Sequence, residues 1–264
     1  MTEPFKRMVK AVLPTSILIA LQRARADWRS RGKPSLSIPD AFDHIYEQGI
    51  WAAQPGQLSG SGSYGAWATE YVNFVRRFIR ENNINSIVDV GCGDFNVGSQ
   101  ICGEVEHYTA MDVSGYIITK NRDRFADYSN VDFVHADACQ VSIPKADLVT
   151  IRQILQHLTN TQIEQILRNV ESSGAQFAII AEHVPSQRTL KKPNVDTRTH
   201  SQDIRTQFGS GVFIEHPPFS RTNARVVMEI TGSKDELNIG VDDVLRVYVY
   251  KLPSENAAGL GKMS

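Results

Sequence analysis

The spacing of apolar residues along the chain changes character three times. From Ala66 onward Trp67, Tyr71, Phe74, Val75, Phe78 and Ile79 recur at intervals of three and four, with charge between them. That is the signature of a helix with one buried face. Short apolar runs then alternate with helical patterns. Strands are expected at 86–91 (SIVDVG), 108–112, 132–136, 147–152 (DLVTIR) and 176–182 (QFAIIAE). Helices are expected at 117–125 and 161–170, where Thr161 and Glu164 have capping-box spacing. Near-continuous apolar strands separated by helices mean a parallel sheet covered on both faces. At the end, 224–230 (ARVVMEI) and 244–252 (VLRVYVYKL) are strands joined by the polar stretch TGSKDELN. No helical pattern separates them, so they are expected to form an antiparallel hairpin.

The start of the chain reads differently. Residues 1–40 are an arm punctuated by Pro14, Pro34 and Pro39. Residues 41–64 (FDHIYEQGIW, then SGSGSY) suggest a short helix and a Gly/Ser loop that cap the rest. The main domain is 65–252, with a polar insertion at 184–219, and a flexible tail follows from 253 to 264. The uncharged stretch from Ala11 to Gln22 is interrupted by Pro14 and falls short of the roughly 20 apolar residues of a spanning helix. No small-x-small cleavage site follows it.

Charge modifies this picture only locally. The formal net charge over 264 residues is -1, so no global field draws the protein to nucleic acid. The arm is nevertheless basic, with Lys6, Arg7, Lys10, Arg23, Arg25, Arg29, Arg31 and Lys33 against Glu3, Asp27 and Asp40. Two fates suit it: peripheral attachment to the anionic inner face of a membrane, or docking of its apolar residues on the protein's own sheet. The three cysteines, Cys92, Cys102 and Cys139, have neither disulfide-framework nor zinc-site spacing, which points to the reducing cytoplasm.

Chemistry starts where the first strand runs into Asp89-Val90-Gly91-Cys92-Gly93-Asp94. Gly91 and Gly93 allow the backbone to approach a ligand, and a following helix would present unpaired N–H groups. Asp112 ends the second strand, where a carboxylate can accept hydrogen bonds from ribose hydroxyls. Asp137, after the third strand, can meet an adenine amino group. A dinucleotide fingerprint would need a third glycine where Asn96 stands, and no G-x-x-x-x-G-K-[ST] occurs.

VDVGCGD, followed in order by MDVS and HADA, resembles the class I S-adenosylmethionine-dependent methyltransferases over residues 65–252. The resemblance implies a Rossmann-like α/β fold, a seven-stranded, mostly parallel sheet with a C-terminal antiparallel hairpin, plus the N-terminal helical arm. It implies S-adenosylmethionine as cofactor. Gly91 and Gly93 would then pass under its methionine part, with Asp89 at the ammonium group, Asp112 at the ribose and Asp137 at the adenine, and Asp94 would belong to the same cofactor site. Phe95 stands near where a third family glycine is common. FDHIYEQGIW, SGSGS, GCGDFN, TIRQILQHL and EHPPF look like a narrower group of uncharacterised bacterial methyltransferases associated with glycans and secondary metabolites, whose pattern would put an acid at Gln153.

In that architecture the acceptor meets the residues after strands four and five. These are Arg152, Gln153 and His157, the last two spaced i,i+4 as on one helical face, and then Glu182 and His183. A hydroxyl acceptor needs a base, for which His157, His183 or a buried Glu182 would serve. The competing reading of each is structural: a core histidine, or an arginine paired with a buried acid. TIRQ lacks the acid or Asn, two prolines and aromatic of DNA amine methylases. No ligand cluster for a metal sits beside Arg152. The expected activity is O-methylation of a glycan or hydroxylated metabolite under the polar insertion. A small-molecule N-methyltransferase and a non-catalytic cofactor-binding scaffold are the alternatives.

Overall fold

The computed structural model describes residues 36–52, 54–197, 205–231 and 243–253. Most of the basic arm, the turn between the last two strands, Arg198, His200 and Asp203 of the insertion and nearly all of the tail lie outside them. No helix among the described residues is long and apolar enough to cross a membrane.

Seven strands form one sheet in the order β3-β2-β1-β4-β5-β7-β6. β1 (Ser86–Val90), β2 (His107–Asp112), β3 (Val131–His135), β4 (Leu148–Arg152) and β5 (Phe177–Pro185) run parallel. β7 (Asp243–Lys251) inserts antiparallel between β5 and β6 (Ala224–Thr231). This is the doubly wound sheet with a terminal hairpin that the apolar pattern predicts. Alternate strand residues feed two cores. Ile87, Leu148, Ile179 and Val247 pack with Tyr71, Val75 and Ile79 of α2 (Gly65–Asn82), while Val88, Val149, Ile180 and Tyr248 face Ile163 and Leu167 on the other side. Period-two alternation puts Asp89 on the α2 face, between Tyr108 and Thr150.

Three local expectations change. α1 (Ile38–Glu47) starts before residue 41, because the Ser37 hydroxyl accepts the Asp40 N–H and Pro39 suits the first turn. The helix after β4, here α4 (Asn160–Glu171; α3 is Gly115–Arg124), is capped by Thr159 with Gln162, not by Thr161 with Glu164. Thr159 is the residue whose hydroxyl reaches the Gln162 N–H while the Gln162 amide oxygen accepts the Thr159 N–H. Glu164 instead pairs with Arg168 and Arg221.

The third change is at the glycine turn. No α-helix follows it. The chain runs through 3-10 turns at Gly98–Gln100 and Cys102–Glu104 before entering β2. Phe95, two residues past Gly93, has φ of 60° and a fully buried ring. The left-handed backbone stops a helix from starting there. The ring meets Phe133, Phe125 and Tyr108 edge-on at 5.0, 5.1 and 5.5 Å. The aromatic cluster fills the layer under β1–β3 that a helix would otherwise cover.

The turn after β4 depends on Glu182 of β5. Its carboxylate is fully buried and accepts the Leu155 N–H at 2.9 Å and the Gln156 N–H at 3.2 Å. It thereby holds the 3-10 turn Leu155–His157. Burial pushes the Glu182 carboxyl up to about 7, against the pull of those N–H groups.

Two outcomes are expected. Phe95→Ala should cost about 3–5 kcal/mol of stability, the range for emptying a buried aromatic site, read as a lower denaturant midpoint. Because the native pKa of Glu182 lies above its unfolded value, its proton is held more tightly in the folded state. That contribution is complete below the unfolded pKa and is lost as pH rises through about 7. Glu182→Gln, neutral throughout, should therefore flatten the decline in melting temperature between about pH 5 and 8. An unchanged slope would show that Glu182 is not the titrating group.

Candidate cofactor and acceptor site

The carboxyl ends of β1, β2, β4 and β5 open into a cavity of about 540 Å³. Asp89, Gly91, Gly93, Asp94, Asp112, Asp137, Arg152, His157 and His183 all line it. Glu182 does not, because its side chain points into the protein to hold the Leu155–His157 turn.

The glycine turn is pinned to β2, with the Gly91 and Cys92 N–H groups donating to the Met111 carbonyl at 2.8 and 3.0 Å. Asp112 then accepts the Gly93 N–H at 3.0 Å on one oxygen and the Ser114 N–H at 2.9 Å on the other. The Val113 N–H bears on the same carboxylate, which still keeps acceptor capacity, and burial raises the carboxyl to about 6. Asp89 accepts hydroxyl donors from Thr150 at 2.7 Å and Tyr108 at 2.9 Å, and burial raises it too. Asp137 takes the Cys139 N–H at 2.9 Å and the Gln140 side-chain amide at 2.8 Å.

Gly91 and Gly93 have φ of 77° and 55°. A Cβ on Gly91 would sit 2.4 Å from the Ile154 side chain, and one on Gly93 would sit 2.5 Å from the Ser59 hydroxyl. The close approach that requires glycine is thus made by the protein's own roof and by the turn after β4.

That roof is the segment 38–63. Asp94, buried, accepts N–H groups from Leu58 at 3.2 Å and Ser59 at 3.1 Å and the Tyr64 hydroxyl. Its own N–H donates to the Ser59 hydroxyl at 2.9 Å. Asp94 therefore clasps the Gly/Ser loop to the glycine turn. Asp43 fastens the other end by accepting the Ser114 hydroxyl and the Tyr116 N–H at the start of α3. Between the two clasps Phe42, Tyr46 and Trp51 form an aromatic wall, with the Trp51 ring 5.1 Å from that of His157. Ser59 to Ser63 complete the lining. The roles of Asp43, Tyr71 and the three roof aromatics went unread in the sequence. The helical period of FDHIYEQGIW was the available signal.

The acceptor-side residues are rearranged relative to expectation. Gln153 has φ of 58° and precedes a 3-10 turn, so it does not share a helical face with His157. Its amide nitrogen lies 2.9 Å from His183 Nε2. His157 is instead neighboured by the Gln156 amide at 3.4 Å, Trp51 and Phe42. Burial, reinforced by Arg152 and His157, pushes His183 down to about 3, so it stays neutral. Arg152 is paired with no acid. Its guanidinium donates to the Gly62 carbonyl and to Gln153 Oε1 at 3.3 Å and lies 5.2 Å from the Tyr71 ring.

The polar insertion was expected to cover the acceptor, yet none of its described residues lines the cavity. Its polar groups are spent on the far side of the β4 turn. Arg205, fully buried, donates to Asn160 Oδ1, to the Val195 carbonyl and to the Leu158 carbonyl. Asn194 exchanges hydrogen bonds of 2.8 Å with the Phe213 backbone. The cover comes from the segment before the domain. No group of three or more His, Cys, Asp or Glu suited to a metal occurs among the described residues.

A methyltransferase domain model matches residues 87–173. Uncharacterized methyltransferases of Mycobacterium tuberculosis and Mycobacterium bovis are each 27% identical over 105 residues, 39% of this chain and 53% of theirs. The chain thus aligns with about half the length of the curated relatives it matches. Among solved structures, the N-methyltransferase NodS from Bradyrhizobium japonicum, in complex with S-adenosylhomocysteine, has a TM-score of 0.56 at 14% identity, covering 80% of this chain and 99% of that one. Magnesium protoporphyrin IX methyltransferase from Synechocystis, with bound S-adenosylmethionine, has a TM-score of 0.53 at 14% identity, covering 83% and 100%. At such identities the likeness concerns the fold. The strand order and the glycine turn agree with the match of residues 87–173 to a methyltransferase domain, and the fold is the one seen in solved S-adenosylmethionine-dependent methyltransferases.

Proposed function

We propose that the protein binds S-adenosylmethionine and transfers its methyl group to a hydroxyl of a sugar, glycan or other hydroxylated metabolite. The observation that carries cofactor binding is the convergence of Asp89, Asp112 and Asp137 on one cavity, with spare lone pairs on the Asp112 carboxylate. The cavity is of the size that takes a nucleoside-class ligand. In this reading Asp112 accepts the ribose hydroxyls, Asp137 meets the adenine, and Asp89 and the Gly91–Gly93 turn border the amino-acid part.

When bound, the cofactor supplies a methyl group on a sulfonium, which leaves by in-line displacement. The chain's own residues orient the partners and exclude water. The clasped roof closes the cavity above the glycine turn, and orientation alone can supply an effective molarity of about 10⁵ M or more. A hydroxyl must also lose its proton. His157 is the residue assigned to accept it, since it faces the cavity on a turn that Glu182 holds in place. His183 is a poor base, because its Nε2 is occupied by Gln153 and burial lowers its proton affinity. Glu182 acts through the turn rather than on the acceptor. A small-molecule amine is the second reading, favoured by the aromatic wall of Phe42, Tyr46 and Trp51, which would suit a cation. Nucleic acid is not an expected partner, and the basic arm is read as either a peripheral contact with an anionic membrane or a segment docked on the protein's own sheet.

Incubating the protein with methyl-labelled cofactor and a lysate tests the activity, and label in a small-molecule or glycan fraction is the expected result. Asp112→Ala should weaken S-adenosylhomocysteine binding by roughly 1.5–3 kcal/mol, measured by titration calorimetry on folded protein. Wild-type affinity would remove Asp112 from the site. His157→Ala should lower turnover by about 10²–10⁴-fold with little change in cofactor affinity, and should abolish the acidic limb of the rate profile. Survival of turnover would point to an acceptor that is already nucleophilic.

A further inference from the structure

The turn that carries His157 is held at both ends, and the second grip comes from the insertion 184–219. β5 supplies the first: Glu182 accepts the Leu155 and Gln156 N–H groups where the turn begins. The turn closes at Leu158, whose N–H returns to the Leu155 carbonyl at 3.1 Å. The Leu158 carbonyl then accepts the Arg205 guanidinium and, at 3.1 Å, the Thr197 hydroxyl. The start of α4 follows at once and is held by the same segment. Asp196 accepts the Asn160 N–H at 2.7 Å, and the Asn194 carbonyl accepts the Asn160 side-chain amide at 3.0 Å. Asn160 Oδ1 in turn accepts Arg205 at 2.8 Å.

These partners match what the local chain lacks. A helix start leaves N–H groups without acceptors and favours negative charge. The first turn of α4 has no acid of its own, and Asp196 brings one from the insertion. The end of a helical turn leaves carbonyls without donors, and Arg205 meets the one at Leu158. A carboxyl at the N–H end and a cation at the carbonyl end both agree with the direction of the peptide dipoles. Arg205 is 1% exposed and takes no part in lining the cavity. Burial lowers it to about 10, with Asp196 and Glu182 acting against that shift, so it stays charged at neutral pH. His157 stands inside this bracket, its ring 5.1 Å from Trp51 and 6.3 Å from Phe42.

We propose that Arg205, with Asp196 and Thr197, forms a positioning group that sets where His157 stands in the cavity by holding the far end of its turn. The insertion thereby acts on the acceptor reaction from behind the site instead of covering it. The functional half of this proposal rests on His157 as the proton acceptor. The structural half can be read without turnover.

The experiment follows the His157 imidazole in ¹H–¹³C spectra of the intact protein, the signal being assigned by its loss in His157→Gln. Ring currents from Trp51 and Phe42 should displace it from the position of an exposed histidine. Asp196 is exposed and Thr197 half-buried, so Asp196→Ala and Thr197→Val each remove a contact from a site that tolerates change. Arg205→Met removes the guanidinium, and Arg205→Lys keeps a cation without its planar fork. The Asp196→Ala Thr197→Val double variant and Arg205→Met should both move the His157 signal toward the exposed position, and Arg205→Lys should move it less than Arg205→Met. Transfer of labelled methyl to lysate acceptors should fall by up to about 10²-fold, the effect of a misplacement of about 1 Å. S-adenosylhomocysteine affinity should change less than transfer does. Ile79→Ala empties space on the opposite face of the sheet and is the control for lost stability, so it should leave the signal in place. A signal that stays put in the double variant and in Arg205→Met overturns the proposal, as does one that moves equally in Ile79→Ala. Should Arg205→Met fail to fold, the double variant decides. A displaced signal with undiminished transfer would leave the bracket standing and overturn His157 as the base.

Discussion

The arrangement of this site depends on one buried carboxylate. Asp94 gathers two backbone N–H groups and a tyrosine hydroxyl from a segment 30 or more residues away, and its own N–H closes the ring through Ser59. In a buried setting the loss of this side chain would leave several donors unsatisfied at once. The glycine turn and the roof are therefore one unit. Gly93 has no room for a side chain because the roof lies against it. Through the roof the same interaction sets where Trp51 and Tyr46 stand and, through Trp51, the surroundings of His157.

A second buried carboxylate plays the corresponding part on the other side of the cavity. Glu182 is too deep to touch a ligand, yet it determines where the turn Leu155–His157 lies. With Gln153 in a left-handed conformation, the chain leaves β4 so that Gln153 meets His183 and His157 turns toward the roof. The two histidines therefore have different chemical surroundings. One is sequestered and neutral beside Arg152, the other stands against the aromatic wall.

Phe95 illustrates how a bulky residue just past a glycine turn is absorbed. The position takes a positive φ, and the ring enters a cluster with Tyr108, Phe125 and Phe133. The first connection of the sheet becomes a series of tight turns. The glycine turn is still anchored, because its support comes from the Met111 carbonyl and the Asp112 carboxylate across β2 rather than from a helix behind it.

The strands, the parallel sheet and the terminal hairpin were legible in the sequence, since apolar periodicity reports burial and every strand here is buried on at least one face, whereas the order in which the strands pair was not. The acids that follow the strands were legible as groups at the carboxyl edge of the sheet, where Asp112 and Asp137 line the cavity. Pairing between distant segments was not legible. Nothing in the local pattern says that Asp94 holds Leu58 and Ser59, that Arg152 is left without an acid, or that Glu182 serves a turn. Those outcomes depend on which donors come within 3 Å after folding. The cover of the cavity was decided in the same way. The polar insertion at 184–219 looked suited to an acceptor, but its buried groups, Asn194 and Arg205, satisfy carbonyls on the far side of the β4 turn. The sequence by itself determined the strands, the helices and the glycine turn, because burial periodicity and turn residues are local properties. The tertiary structure alone decided the roof and the surroundings of the two histidines, because hydrogen-bond partners are assigned by position in space.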